Sequence, residues 1–238
     1  MPEKRFFIKG PLTVYSLFEL TGEEAQHFKV MRCREGDNVE VINGEGNLAQ
    51  AKVNCIGKRT ITLEILSIKT SSNPNFEIIL AQAIPKINRL DTILEKSTEL
   101  GVSKIILFPA EFSEKKELSP NQLQRIENIL IAATKQCGRL YLPVLELKPS
   151  LDKWAKPKSD ALYFGDVSPN APLFKNAWDA RTNNAMFFVG PEQGLSEKEE
   201  KLLKGWDAKG VKLHSNILRT DTAPLTALSL ISHFLMTE

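Results

Sequence analysis

The feature that most constrains this chain is a change of hydrophobic rhythm near residue 75. Beyond it, short unbroken apolar runs alternate with segments whose apolar residues recur every three or four positions. The runs are Phe76–Ala83, Lys104–Phe108, Ala161–Phe164, Ala185–Val189 and Val211–Leu213. Strands apolar on both faces and separated by helices belong to a parallel sheet, because each crossover lays a helix against one face. The helices announce their ends. Asn88 is placed to cap a helix that turns Leu90, Ile93, Leu94 and Leu100 inward and closes at Gly101. Ser119-Pro120 opens the next, with proline where a missing N–H costs nothing. Leu123, Ile126, Ile129, Leu130 and Ala133 form its inner face, and Gly138 ends it. Ser196 with Glu199 reads as a capping box, and Thr222–Met236 as the last helix.

Residues 1 to about 70 read differently. Arg5–Ile8, Asn38–Ile42, Leu48–Cys55 and Thr60–Ile68 are strand-like, and Asn43-Gly44 is a hairpin turn signal. A helix over about Gly22–Arg32 interrupts them, with Thr21 and Glu24 spaced as a capping box. The pattern predicts a small β-barrel-like domain over 1–70 and an α/β domain over 75–238. The polar, turn-rich Ser71-Ser72-Asn73-Pro74-Asn75 joins them.

Composition narrows the function. The 238 residues carry 31 Lys+Arg against 29 Asp+Glu, so a protein basic all over is excluded while a local basic face is not. No apolar run nears the roughly 20 residues of a membrane span, and the start, Met1-Pro-Glu-Lys-Arg, has no secretory apolar region. Cys33, Cys55 and Cys137 lie far apart without a CxxC pair, which argues against structural zinc and a disulfide framework and for a reducing, cytoplasmic setting. His27, His214 and His233 lack metal-ligand spacing, so no metal site is expected.

In open α/β sheets ligands bind beyond the carboxyl ends of the strands. Three segments occupy such ends: Phe164-Gly165-Asp166, Val189–Leu195 and Leu213–Ala223. In the second, Gly190 follows a strand and Gly194 precedes a helix, which permits tight turning and close backbone approach. It is neither GxGxxG nor a P-loop, so a nucleoside triphosphate is disfavoured. In the third, Arg219, Thr220, Asp221 and Thr222 stand at the mouth of an apolar helix. Asp221 or Thr222 would suffice as a cap, but Arg219 has no such role. Basic residues recur at Arg32 and Arg34, Lys86 and Arg89, and Lys135 and Arg139. Singly they read as solvated charges; together they suit a phosphate-tracking face.

These segments, in this order, resemble one family nearly end to end. They are Met31-Arg32 with Gly36-Asp37; Lys86, Arg89 and Asp91; Glu95–Val102; Ala132-Ala133 with Gln136, Gly138 and Arg139; Gly190-Pro191-Glu192-Gln193-Gly194; and Ile217–Ala223. The chain is similar to the 16S ribosomal RNA uridine-N3 methyltransferases of the SPOUT superfamily. It departs from their usual residues at Gln193, Leu195, His214, Asn216 and Asp221. The resemblance implies a PUA-like RNA-binding barrel, then an α/β domain whose carboxyl-terminal chain forms a trefoil knot. It implies a cytoplasmic homodimer, with 16S ribosomal RNA or the small ribosomal subunit as partner and S-adenosylmethionine as cofactor. The cofactor would lie against Phe164, Gly165, Val189, Gly190, Pro191, Glu192, Gly194, Leu213, His214, Asn216, Ile217 and Leu218. RNA would meet Arg32, Arg34, Lys86, Arg89, Lys135 and Arg139.

Uridine N3 is an imide nitrogen that holds its proton at neutral pH. Methylation there needs that proton removed, charge on O2 or O4 stabilised, and N3 in line with the methyl group. Arg219 suits the charge, because a guanidinium stays protonated and donates in a fixed fork. Asp221 or Glu192 would take the proton. The alternatives are a ribose 2′-O methyltransferase of the same fold and a non-catalytic RNA-binding relative.

Overall fold

The computed structural model describes residues 4–72, 74–179 and 181–236. Met1–Glu3 of the amino-terminal segment and Asn73 of the expected linker lie outside the described residues, as do Ala180, Thr237 and Glu238. The chain divides into two compact units. One takes in the amino-terminal residues together with Ile131–Leu142; the other takes in Pro74–Leu130 and the chain from Pro143 onward.

The first unit holds β1 (Arg5–Phe7), β2 (Leu17–Leu20), α1 (Gly22–Val30), β3 (Asn38–Ile42), β4 (Asn47–Ile56) and β5 (Ile61–Thr70). They form a five-stranded sheet in the order β1-β3-β4-β5-β2. β1 runs parallel to β3 and the other pairs are antiparallel. The β3–β4 hairpin turns at Asn43-Gly44 as expected, over a longer loop that ends at Gly46, with positive φ at both glycines. Register shifts in the β4–β5 pair, at Gln50/Ala51 and Val53/Cys55, bend and twist the ribbon and let the sheet curl. Phe6, Phe28, Val39, Val41, Ala49, Ala51, Val53, Leu63 and Ile65 are buried inside it.

The capping box expected at Thr21 does not form. Thr21 is the N-cap residue, but its side chain makes no capping bond. The Glu24 carboxylate is engaged elsewhere, accepting the Phe7 N–H at 2.9 Å and pairing with Lys135. Two partners distant in sequence outcompete the local bond. The helix also ends at Val30, before the expected Arg32, whose φ is 52°.

The second unit holds β6 (Glu77–Ala83), α2 (Ile87–Glu99), β7 (Lys104–Phe108), β8 (Val144–Leu147), β9 (Ala161–Gly165), α4 (Phe174–Ala177), β10 (Asn184–Val189), α5 (Glu197–Gly205), β11 (Lys209–Val211) and α6 (Thr222–Leu235). Between β7 and β8 runs α3 (Pro120–Cys137), whose last residues belong with the first unit. The six strands are parallel, in the order β11-β9-β10-β6-β7-β8. The central strands β6 and β10 are buried along nearly their whole length, as their unbroken apolar runs require.

Gly101 stands just past α2 with φ of 90°; its N–H reaches the Thr98 carbonyl, and the Val102 N–H reaches that of Ser97. This double closure is the Schellman pattern, which needs a residue without a Cβ at that point. Asn88, however, lies inside α2 and does not cap it; Lys86 precedes the first turn and offers no side-chain cap. β11 ends at Val211 rather than Leu213, because the sheet edge it pairs with ends at Gly165. The half-exposed edge strands β2 and β8 and the single-turn α4 were not expected.

At α5 the expected box is complete: the Ser196 side chain accepts the Glu199 N–H, and the Glu199 carboxylate accepts the Ser196 N–H at 2.8 Å. Both residues are buried. Ser196→Ala should lower the unfolding free energy by about 1 kcal/mol, measured by urea titration with unchanged m-value.

Candidate functional site

A cavity of about 280 Å³ opens at the carboxyl ends of β9, β10 and β11. Three loops wall it: Gly165–Val167, Gly190–Leu195 and Lys212–Leu218, with Thr220 and Ala223 at the start of α6. The three segments singled out in the sequence therefore meet in one place. Phe187, Val189, Leu195 and Leu213 supply apolar wall, and Asp166 and Glu192 supply carboxylates. Among the described residues, no hydrogen bond uses the N–H of His214, Ser215, Ile217 or Leu218. Free backbone groups beside apolar wall suit a flat heterocycle that both donates and accepts. The carboxylates suit a cationic group.

A buried polar brace ties the loops together. The Thr220 hydroxyl donates to the Gly190 carbonyl at 2.8 Å. The fully buried Gln82, near the end of central strand β6, brings its Nε2 to 3.3 Å from Thr220 Oγ1 and 3.4 Å from the Gly190 oxygen. Gly190 is compelled by closeness: an added Cβ would lie 2.5 Å from the Gly194 carbonyl carbon. That turn can only be made without a side chain.

A second link is ionic. Arg89 of α2 donates from Nη1 to Asp221 Oδ2 at 2.7 Å, and its Nε lies 3.4 Å from Glu192 Oε1. The Lys86 N–H also donates to Glu192 Oε1, at 3.1 Å. Asp221 precedes α6 but its side chain makes no capping bond. The capping explanation for this carboxylate therefore does not hold. Arg89, expected on RNA phosphates, is instead committed to two carboxylates.

Of the residues expected around a cofactor, Gly165, Val189, Gly190, Pro191, Glu192, Gly194, Leu213, His214, Asn216, Ile217 and Leu218 line the cavity. Phe164 does not. It is fully buried in the sheet's core, since neighbouring strand residues face opposite sides and Gly165 is the one exposed. Arg219 stands between the lining residues Leu218 and Thr220, is exposed, and joins no ion pair among the described residues. The sequence reading missed Val167, Phe187, Val211 and Lys212 as lining residues. Asp166, Gln193, Leu195, Ser215, Thr220 and Ala223 also line the cavity and fall within the three segments picked out at strand ends, though none was assigned to the cofactor.

The remaining cations fall in both units. Arg32 and Arg34 are exposed. Lys135 is ion-paired with Glu24, and burial pulls the Arg139 guanidinium below its ordinary range. Lys86 pairs with Glu114 at 3.0 Å.

A family model described as RNA methyltransferase domain matches residues 71–232, more than half of the chain. The chain belongs to the RNA methyltransferase family. A second model, the PUA domain of RNA methyltransferases, matches residues 20–66. Proteins named ribosomal RNA small subunit methyltransferase E resemble the chain throughout. That of Aquifex aeolicus is 30% identical, covering 92% of this chain and 95% of its own. That of Bacillus subtilis is 28% identical over 97% and 96%. Among solved structures, a Legionella pneumophila methyltransferase in complex with S-adenosylmethionine superposes with a TM-score of 0.89 at 28% identity, over 96% of both chains. The Neisseria gonorrhoeae ribosomal RNA small subunit methyltransferase E, also bound to S-adenosylmethionine, gives 0.84 at 31% identity over 98% and 97%. The expected fold class, a PUA-like barrel followed by a SPOUT α/β domain, is thereby established.

If the brace shapes the cavity, Thr220→Val should cost about 1–3 kcal/mol of stability, because the Gly190 carbonyl loses its best donor. It should also weaken S-adenosylmethionine binding roughly tenfold by calorimetry, while Thr220→Ser stays close to wild type.

Proposed function

We propose that this protein methylates N3 of a specific uridine in 16S ribosomal RNA, with S-adenosylmethionine as donor. The observation that carries the reading is the meeting of the 190–195 and 212–218 loops in one cavity at the carboxyl edge of a parallel sheet, in a member of the RNA methyltransferase family. The cavity's chemistry fits the donor. Free N–H groups of the 214–218 loop would read the adenine edge, the 190–194 loop would lie against the ribose or methionine, and the carboxylates tolerate a sulfonium. The donor supplies an electrophilic methyl group and departs as a neutral thioether.

The remaining tasks fall to this chain. Arg219, exposed and paired with no carboxylate among the described residues, is placed to stabilise negative charge growing on uridine O2 or O4. Asp221 and Glu192, gathered by Arg89, are the carboxylates at hand to accept the N3 proton. The uridine must leave its stack to reach them, so the target is unpaired or flipped. Arg32 and Arg34 of the barrel offer exposed charge to phosphates, and so, on the second unit, does Lys86, while Lys135 and Arg139 are half-buried. The full reading includes domains over 1–70 and 75–238, a trefoil knot in the carboxyl-terminal chain, a homodimer and a cytoplasmic location. No helix among the described residues is long and apolar enough to cross a membrane.

The test is nucleoside mass spectrometry of 16S RNA and of small subunits incubated with protein and donor. N3-methyluridine is expected; a ribose 2′-O-methyl product, or none, overturns the reading. Arg219→Ala should reduce turnover by about two to three orders of magnitude while donor affinity stays within about twofold. Arg32→Ala should weaken RNA binding, and by a larger factor at low salt than at high salt, in filter-binding titrations.

A further inference from the structure

The loop that walls the cavity from Leu213 to Leu218 is almost without internal support. Among the described residues, the flanking backbone bonds are Lys212 N–H to Pro172 O on one side and Thr222 N–H to Arg219 O on the other. Within Leu213–Leu218 itself, among the described residues, lies a single hydrogen bond, from the Asn216 N–H to Nδ1 of His214 at 3.0 Å; the Thr220 contacts come just beyond it. A side-chain acceptor closing onto the N–H two residues on is the geometry of an Asx turn, made here with an imidazole in place of a carboxamide. An accepting Nδ1 carries no proton, so this bond forms only with the imidazole neutral. His214 also lines the cavity.

We propose that His214 is a positioning residue for the donor-binding loop, and that its protonation weakens S-adenosylmethionine binding. The inference rests on the functional reading above and deepens it. Two effects act together. Imidazolium donates from both nitrogens, so a protonated Nδ1 faces the Asn216 N–H as a second donor and the turn loses its only internal bond. The same proton adds positive charge to the wall of a cavity meant for a sulfonium cation. Histidine is the side chain whose ordinary charge change falls between about pH 5 and 8.

The other charged groups lining the cavity take no part in this turn. They are Asp166, whose Oδ1 accepts the Ser168 N–H at 2.8 Å; Glu192, held by the Lys86 N–H; and Lys212, whose Nζ donates to the Pro169 carbonyl at 3.2 Å. Arg219 follows on the same loop. A carboxamide at position 214 can make the turn bond but cannot acquire the charge.

The experiment is calorimetric titration of the full-length protein with S-adenosylmethionine at about pH 7.5 and about pH 5.5, bracketing the ordinary histidine range. Wild type, His214→Ala and His214→Asn are compared at each pH, which cancels the ligand's own ionisation. At the higher pH His214→Ala should bind roughly fivefold more weakly than wild type, and His214→Asn should recover most of that loss. At the lower pH wild type should fall roughly fivefold or more relative to His214→Asn. Wild type and His214→Asn losing affinity in parallel, or His214→Ala matching wild type at both pH values, overturns the proposal. No binding by wild type at either pH overturns the donor reading itself, and this inference with it.

Discussion

The site depends on one buried contact, the Thr220 hydroxyl bonded to the Gly190 carbonyl with the Gln82 amide beside both. Gln82 and Thr220 are buried and Gly190 half-buried, so a Thr220 hydroxyl or Gln82 amide N–H left without its acceptor would cost the fold its desolvation. The contact joins the loop after β10 to the turn before α6, two stretches brought together only when the sheet is complete. Gly190 makes the approach possible, since any side chain there would collide with Gly194. The cavity exists because these two loops are held against each other.

Charge is arranged around that brace in a complementary way. Arg89 draws Asp221 and Glu192 to one place, and the Lys86 N–H fixes Glu192 further. Arg219 is left out of this arrangement and remains exposed on the cavity-lining segment. One cation thus organises the carboxylates, and another stands outside any ion pair among the described residues. Under the proposed function that division would supply what methyl transfer to an imide nitrogen requires, a proton acceptor and a separate fixed positive charge.

Much of the fold was legible because it follows from local rules. Apolar runs gave the buried parallel strands, Gly101 marked the end of α2, and Ser196 with Glu199 marked the start of α5. What was not legible depended on contacts between residues far apart in the chain. Glu24 looked like half of a capping box until Phe7 and Lys135 claimed its carboxylate. Asp221 looked like a helix cap until Arg89, 132 positions away, paired with it. Edge strands β2 and β8 are short and half-exposed, so they lack the apolar run that marks a central strand. The cavity was legible because Gly165 and Gly190 stand at strand ends and Arg219-Thr220-Asp221 at the mouth of α6. Phe164 was expected at the cavity together with Gly165, but strand alternation turns its side chain into the core.

The central claim is that the 190–195 and 212–218 loops bind the methyl donor as one unit. Amide hydrogen exchange with and without S-adenosylmethionine tests it most directly. The account predicts slower exchange confined to these two loops, strongest at the unbonded amides of His214, Ser215, Ile217 and Leu218. Protection elsewhere in the chain, or on one loop without the other, would contradict it.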